Sequence, residues 1–136
     1  MQLVYANQLR IIRKASVLKE KQPSGKSLSK AAQHYIEDHI TEKFSLQEMA
    51  DALFVNGSYL LRAFKRYTGM TPLCYHHLVR CSRAKELLLH TDQSITEIGE
   101  AVGFVSSSHF SHVFRKTLGC TPSEYRKQHR REIGSD

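Results

Sequence analysis

The stretch SLQEMADALFVNGSYLLRAFKRYTGMTPLCYHHLVR (Ser45 to Arg80) recurs later in the same chain as SITEIGEAVGFVSSSHFSHVFRKTLGCTPSEYRKQHR (Ser94 to Arg130). Ser45 matches Ser94, Glu48 matches Glu97, and Ala52 matches Ala101. One extra residue, placed near Gly103, keeps the copies in step. Beyond it Phe54 pairs with Phe104, Phe64 with Phe114, Gly69 with Gly119, Thr71-Pro72 with Thr121-Pro122, and Tyr75 with Tyr125. These are cap, glycine, proline and aromatic positions in one order. A chain built this way folds as two copies of one supersecondary unit.

Each copy reads as helical. Ser45-x-x-Glu48 and Ser94-x-x-Glu97 are capping boxes, the Ser oxygen accepting from the third backbone N–H while the Glu reaches back. Leu46, Met49, Ala50 and Leu53, or Ile95, Ile98, Gly99 and Val102, give the apolar stripe of a short helix. A turn follows (Val55-Asn56-Gly57; Val105-Ser106-Ser107). A second helix then carries Leu60 and Phe64, or Phe110, Val113 and Phe114, at helical spacing. Gly69 and Gly119 end it, and Thr71-Pro72 and Thr121-Pro122 start another with proline at its first position. Ahead of the first copy, Ala32, Tyr35, Ile36, Ile40 and Phe44 predict an amphipathic helix from about Ser29. Between the copies, Pro72 to about His90 is one helical pattern with Tyr75, Val79, Ala84, Leu87 and Leu88 as core positions. No alternation bounded by hairpin turns suggests a strand. Gln22 to Ser27 is a linker by composition, and residues 3–20, with Val4, Ile11 and Leu18 seven apart, read as a further helix.

Two helices joined by a tight turn form a helix-turn-helix, whose second helix can enter the DNA major groove. An isolated copy would read first as a corner between packed helices. Here the second helices carry short polar and basic residues opposite their apolar stripes: Ser58, Arg62, Lys65 and Arg66, then Ser108, His112, Arg115 and Lys116. Such side chains reach base edges and phosphates. The intervening helix, about 19 residues at roughly 1.5 Å each, is a rod near 28 Å. Successive major-groove segments lie about 34 Å apart. The expected fold class is therefore all-α: two helix-turn-helix subdomains, about seven helices, joined by a long connecting helix.

Composition agrees. The 136 residues hold 20 Lys plus Arg against 13 Asp plus Glu, a net charge of +7, which favours an anionic partner such as nucleic acid. No apolar run approaches the roughly 18 residues of a membrane span, and the N-terminus lacks the apolar stretch of a secretory signal. Three cysteines (Cys74, Cys81, Cys120) make no disulfide framework and fit a reducing cytosol.

From about Ser29 to Arg131 the chain resembles the DNA-binding domain of the AraC/XylS family of bacterial transcription regulators. The second copy carries the family signature in Gly103, Phe104, Ser108, Phe110, Ser111, Phe114, Arg115, Gly119, Thr121, Pro122, Tyr125 and Arg126. The resemblance implies a cytoplasmic, nucleoid-associated bacterial regulator, an activator by preference, with two recognition helices in adjacent major grooves of double-stranded promoter DNA. It also implies a contact to RNA polymerase and an N-terminal effector or dimerisation domain outside this chain. By position, Ser58, Leu61 and Arg62, and then Ser107, Ser108, His109 and His112, face bases. Lys65, Arg66, Ser111, Arg115 and Lys116 face phosphates. Leu61 offers only apolar contact, for example to a thymine methyl. Two departures bear on the second head's base preference. Val105-Ser106-Ser107 stands where the family often has an acidic residue, and His112 where it usually has Arg.

The expected organisation is residues 1–27 as N-terminal helical segment and linker, 28–71 as the first helix-turn-helix subdomain, 72–91 as connecting helix, 92–131 as the second subdomain, and 132–136 as tail. Residues 1–27, too few for a sensor domain, read as the end of one plus a linker. Cys74, His77 and Cys81 share a helical face and imitate a zinc site, but a structural site wants four ligands; small core residues are the better reading, and no metal or cofactor is expected. No G-x-S-x-G, phosphate loop or HExxH occurs, so no catalytic residue is assigned and the chain is not an enzyme. The basic run Arg126-Lys127-Gln128-His129-Arg130-Arg131 is a solvated helix end or a phosphate contact. The competing function is a helical protein–protein module whose basic faces meet an acidic partner.

Overall fold

The structure, a computed structural model, describes residues 23–133. All seven helices expected of the repeat are present there, and no strand is found among the described residues. They are α1 (Gly25–Asp38), α2 (Leu46–Ala52), α3 (Gly57–Thr68), α4 (Pro72–His90), α5 (Ile95–Ala101), α6 (Ser107–Leu118) and α7 (Pro122–Ile133). The chain divides into two compact units. Among the described residues, the first holds 23–38 and 44–72, and the second holds 39–43 together with everything from Leu73 onward.

In the first unit α1 and α2 pack on α3. Leu28, Ala32 and Ile36 from α1 are buried, as are Met49 and Ala50 from α2, Val55 from the turn, and Leu60, Ala63 and Phe64 from α3. α1 begins earlier than the composition suggested. Gly25 to Ser27 are its first turn, because Ser24 caps it: the Ser27 N–H donates to Ser24 Oγ at 3.1 Å and Leu28 N–H to the Ser24 carbonyl at 2.9 Å. Tertiary contact holds that turn, since the Tyr59 hydroxyl donates to the Pro23 carbonyl at 2.9 Å. α1 also ends earlier, at Asp38, so Ile40 and Phe44 lie outside it. The predicted helix over residues 3–20 lies outside the described residues.

The second unit is built round Cys81, Ala84 and Leu88 of α4, Ile98 and Val102 around α5, Phe104 of the turn, and Phe110, Val113 and Phe114 of α6. Tyr125 packs edge-on against Phe114 at 5.8 Å. On α4, Ala84 and Leu88 are buried as expected, whereas Tyr75, Val79 and Leu87 are only half-buried. The remaining buried places belong to Pro72, His76, Arg80 and Cys81. Arg80 is inside because two backbone carbonyls and a ring receive its guanidinium. Its Nε donates to the Ile40 carbonyl at 2.8 Å and its Nη2 to the Glu42 carbonyl at 2.9 Å, while the guanidinium lies over the Phe104 ring at 4.9 Å. A buried guanidinium needs such partners.

The register of the repeat also needs correcting. In the two turns Phe54 and Gly103 are the residues with positive φ, 57° and 107°, and each donates its N–H three residues back, to Asp51 and Glu100. The next residues, Val55 and Phe104, are buried and donate to Ala50 and Gly99. Phe54 is thus equivalent to Gly103 rather than to Phe104, and the extra residue is Val105, which is 99% exposed. Matching phenylalanines mislead here because a backbone conformation, not a ring, is what the two turns share.

Candidate nucleic-acid interface

α3 and α6 are positioned by the same parts. Asn56 caps α3, its side chain accepting from Ser58 N at 2.8 Å and Tyr59 N at 3.4 Å; Ser106 caps α6, accepting from His109 N at 3.0 Å. Both helices end on a left-handed glycine, Gly69 at φ 77° and Gly119 at φ 86°. The preceding helices α2 and α5 are capped by Ser45 and Ser94, accepting from Glu48 N at 3.2 Å and Glu97 N at 3.0 Å. Every helix start in the two turns is therefore locally specified.

One face of each second helix is inside, through Leu60, Ala63 and Phe64 or Phe110, Val113 and Phe114. The opposite face of α3 exposes Ser58, Leu61, Arg62, Lys65 and Arg66. On α6, Ser108, His109, His112, Arg115 and Lys116 are exposed, and Ser107 and Ser111 are half-buried. Each unit thus offers short polar groups near the helix start and a cation pair in its last turn. His109 is held from behind, edge-on to Phe104 at 5.3 Å and to His77 at 6.4 Å. Burial, and then the neighbouring His109, Arg80 and Lys116, push the His77 pKa below its ordinary value. On α3, Arg66 lies over the Tyr67 ring at 5.7 Å.

The basic run at the C-terminus divides: Lys127 and Gln128 are exposed as a solvated helix end, whereas Arg126 and Arg130 turn back onto the chain. Arg126 Nε donates to the Leu88 carbonyl at 3.0 Å and its Nη2 to the Thr91 carbonyl at 3.2 Å. Arg130 donates to the Thr91 carbonyl and, at 3.1 Å, to Asp92 Oδ1. These cations satisfy the carbonyls at the end of α4, not of their own helix. The repeat held the signal: Arg80 and Arg130 each follow the matched tyrosines, Tyr75 and Tyr125, by the same interval, and each reaches back to the loop before its helix-turn-helix. The zinc look-alike separates in space, with Cys74 exposed and Cys81 in the core. Val105 and Tyr67 are exposed apolar side chains that the pattern did not single out.

A helix-turn-helix domain family matches residues 49–128 of the chain. The transcriptional activator RhaS of Enterobacter sp. (strain 638) is 39% identical over 93 residues, which make up 68% of this chain and 34% of that protein. Among solved structures, a transcriptional regulator with an AraC-type DNA-binding domain from Chromobacterium violaceum is 37% identical, with a TM-score of 0.69 over 75% of this chain and 91% of that one. The DNA-binding domain of the global transcriptional factor AdpA, solved in complex with a target DNA, is 26% identical, with a TM-score of 0.72 over 79% of this chain and 97% of that one. The chain spans about a third of the length of relatives such as RhaS.

Proposed function

The chain belongs to the AraC-type helix-turn-helix family of DNA-binding transcription regulators, and on that premise we propose that it reads promoter DNA with both units, α3 and α6 entering successive major-groove segments. What carries the reading is the twinned face: the same capped helix, buried on one side, offers polar and cationic side chains on the other, twice in one polypeptide. Ser58, Leu61 and Arg62 read bases in the first unit; Ser107, Ser108, His109 and His112 do so in the second. Lys65, Arg66, Ser111, Arg115 and Lys116 hold phosphates. The relatives named as activators support activation as the outcome, through a contact to RNA polymerase. In the complete regulator an N-terminal effector or dimerisation domain governs this activity, and the protein works on the bacterial nucleoid in the cytoplasm. Among the described residues no helix is long and apolar enough to cross a membrane.

Selection of bound sequences from random duplex DNA tests the proposal directly. Two enriched blocks about one helical turn apart are expected. Retention of all duplexes alike, with binding of an acidic protein surface undiminished by competitor DNA, would overturn it in favour of a protein–protein module.

A further inference from the structure

Beside α3 in the first unit lies a cavity of about 430 Å³, lined by Gly25, Tyr59, Arg62, Ala63, Arg66 and Tyr67. Arg62 and Arg66 are among its lining residues and no acidic residue is, so its chemistry favours an anion. The Tyr59 hydroxyl is committed to the Pro23 carbonyl, leaving its ring as wall. Arg66 rests over Tyr67, which orients a planar fork suited to two phosphate oxygens.

The second unit supplies an internal comparison. Its buried residues Arg80, Cys81, Ala84 and Leu88 repeat the spacing of Leu28, Ser29, Ala32 and Ile36 on α1. In that register His77 stands where Gly25 stands, His109 answers Tyr59, and Lys116 answers Arg66. His77 fills the place with its ring, edge-on to His109 at 6.4 Å. In the first unit the same place holds a glycine. A Cβ there would come within 2.7 Å of Tyr67 Cε2, so even an alanine displaces that ring. One unit fills this place with an imidazole; in the other the Tyr67 ring closes over the glycine and, beside Arg66, forms a wall of the cavity.

We propose that this cavity is a phosphate site that seats one phosphodiester of the DNA strand bordering α3, with Arg66 as its ligand and the Tyr67 ring as the wall for the attached sugar. The inference rests on the DNA-binding reading above. The volume favours a sugar-phosphate over a bare oxyanion, because pockets of this size enclose ligands of many atoms.

The test replaces the backbone phosphates of a selected duplex, one at a time, by neutral methylphosphonates. Binding is measured for the whole chain and for its Arg66→Gln and Gly25→His variants, with helicity and Tm recorded for each. One position should lower wild-type affinity about tenfold, as expected for a charge-assisted hydrogen-bond pair, and should have no effect in either variant. Arg66 is exposed, so Arg66→Gln stays informative if Gly25→His folds poorly. Sensitivity that is the same in wild type and Arg66→Gln at every position would overturn the site. A second arm titrates inorganic phosphate and phenyl phosphate into the DNA-free chain and follows the Gly25 and Tyr67 amide resonances. Shifts that vanish in Arg66→Gln, without any special backbone position, would overturn the DNA source and assign a free phosphate ester. If the chain binds no duplex, the functional reading falls and the phosphate site is judged by this arm alone, the absence of shifts overturning it.

Discussion

Arg62 and Lys65 sit within one turn of each other on the exposed face of α3, yet their chemistry predicts different phenotypes. A guanidinium makes two parallel hydrogen bonds to a guanine edge; an ammonium is a point charge that suits phosphate. Arg62→Ala should therefore cost about 1–3 kcal/mol on the preferred site and relax one base position, whereas Lys65→Ala should weaken all sequences alike. Repeating the sequence selection on both variants decides this, and an unchanged selected sequence for Arg62→Ala would remove it as a base reader. His76 presents a stability question instead. Burial, followed by the charge of Arg80, lowers its pKa to about 4, with His77 adding to the fall and a hydrogen bond to the Glu42 backbone opposing it. The unfolded chain takes up the proton near pH 6.5 and the folded chain does not. Stability is therefore lost as pH falls from about 6.5 toward 4, by roughly 2 kcal/mol at pH 5 from this group. Urea unfolding at pH 7 and pH 5 should show a smaller loss for His76→Gln than for wild type, and equal losses would refute the assignment.

At the scale of elements, each helix-turn-helix solves one packing problem with a different pair of residues. Gly99 of α5 faces Phe110 of α6 so closely that a Cβ would lie 2.8 Å from the ring. The first unit has Ala50 and Leu60 at the equivalent places, both fully buried. Small with large, or medium with medium, fills the same volume, as close-packed cores require. Gly99→Ala alone should destabilise by about 1–2 kcal/mol, overpacking outweighing the gain in helix propensity. Phe110→Leu alone should also destabilise, by leaving space. The double variant should recover part of both losses, with a coupling of about 1 kcal/mol. Strict additivity in a urea double-mutant cycle would show that the two positions do not share volume. The turns differ in the same spirit. Gly103 has φ 107° and no room, a Cβ there meeting Thr41 Cα at 2.8 Å and Arg80 Nη2 at 2.7 Å, whereas Phe54 tolerates φ 57° as a phenylalanine.

At the scale of the whole molecule, the proposed reading puts both DNA contacts on one polypeptide, so a single copy should suffice for a bipartite site. Footprinting should show two protected patches about 10 base pairs apart at one protein per duplex. The four end-of-helix cations Lys65, Arg66, Arg115 and Lys116 predict a slope of about −3.6 for log affinity against log salt. Arg66→Gln should flatten that slope by about one unit. A single short patch, or occupancy that rises with the square of protein concentration, would mean that a dimer partner supplies the second contact.

The repeat, the caps and the glycine stops are local signals, each written in a few adjacent residues. They sufficed for the seven helices of the described residues and for the family. Ser45, Ser94, Gly69 and Gly119 do in space what their types predict, because capping and left-handed termini involve only neighbours in the chain. What escaped the sequence depends on partners far along it. Arg80 and Arg126 read as surface cations until the carbonyls of Ile40, Glu42, Leu88 and Thr91 come within reach. Nothing local marks His76 for the interior, and folding buries it. Gly25 reads as linker until Tyr67 closes over it, and Phe54 pairs with the wrong residue until φ is known. Helical periodicity records which face turns inward, but which polar group can afford to follow it is decided by the hydrogen-bond partners that only folding brings together.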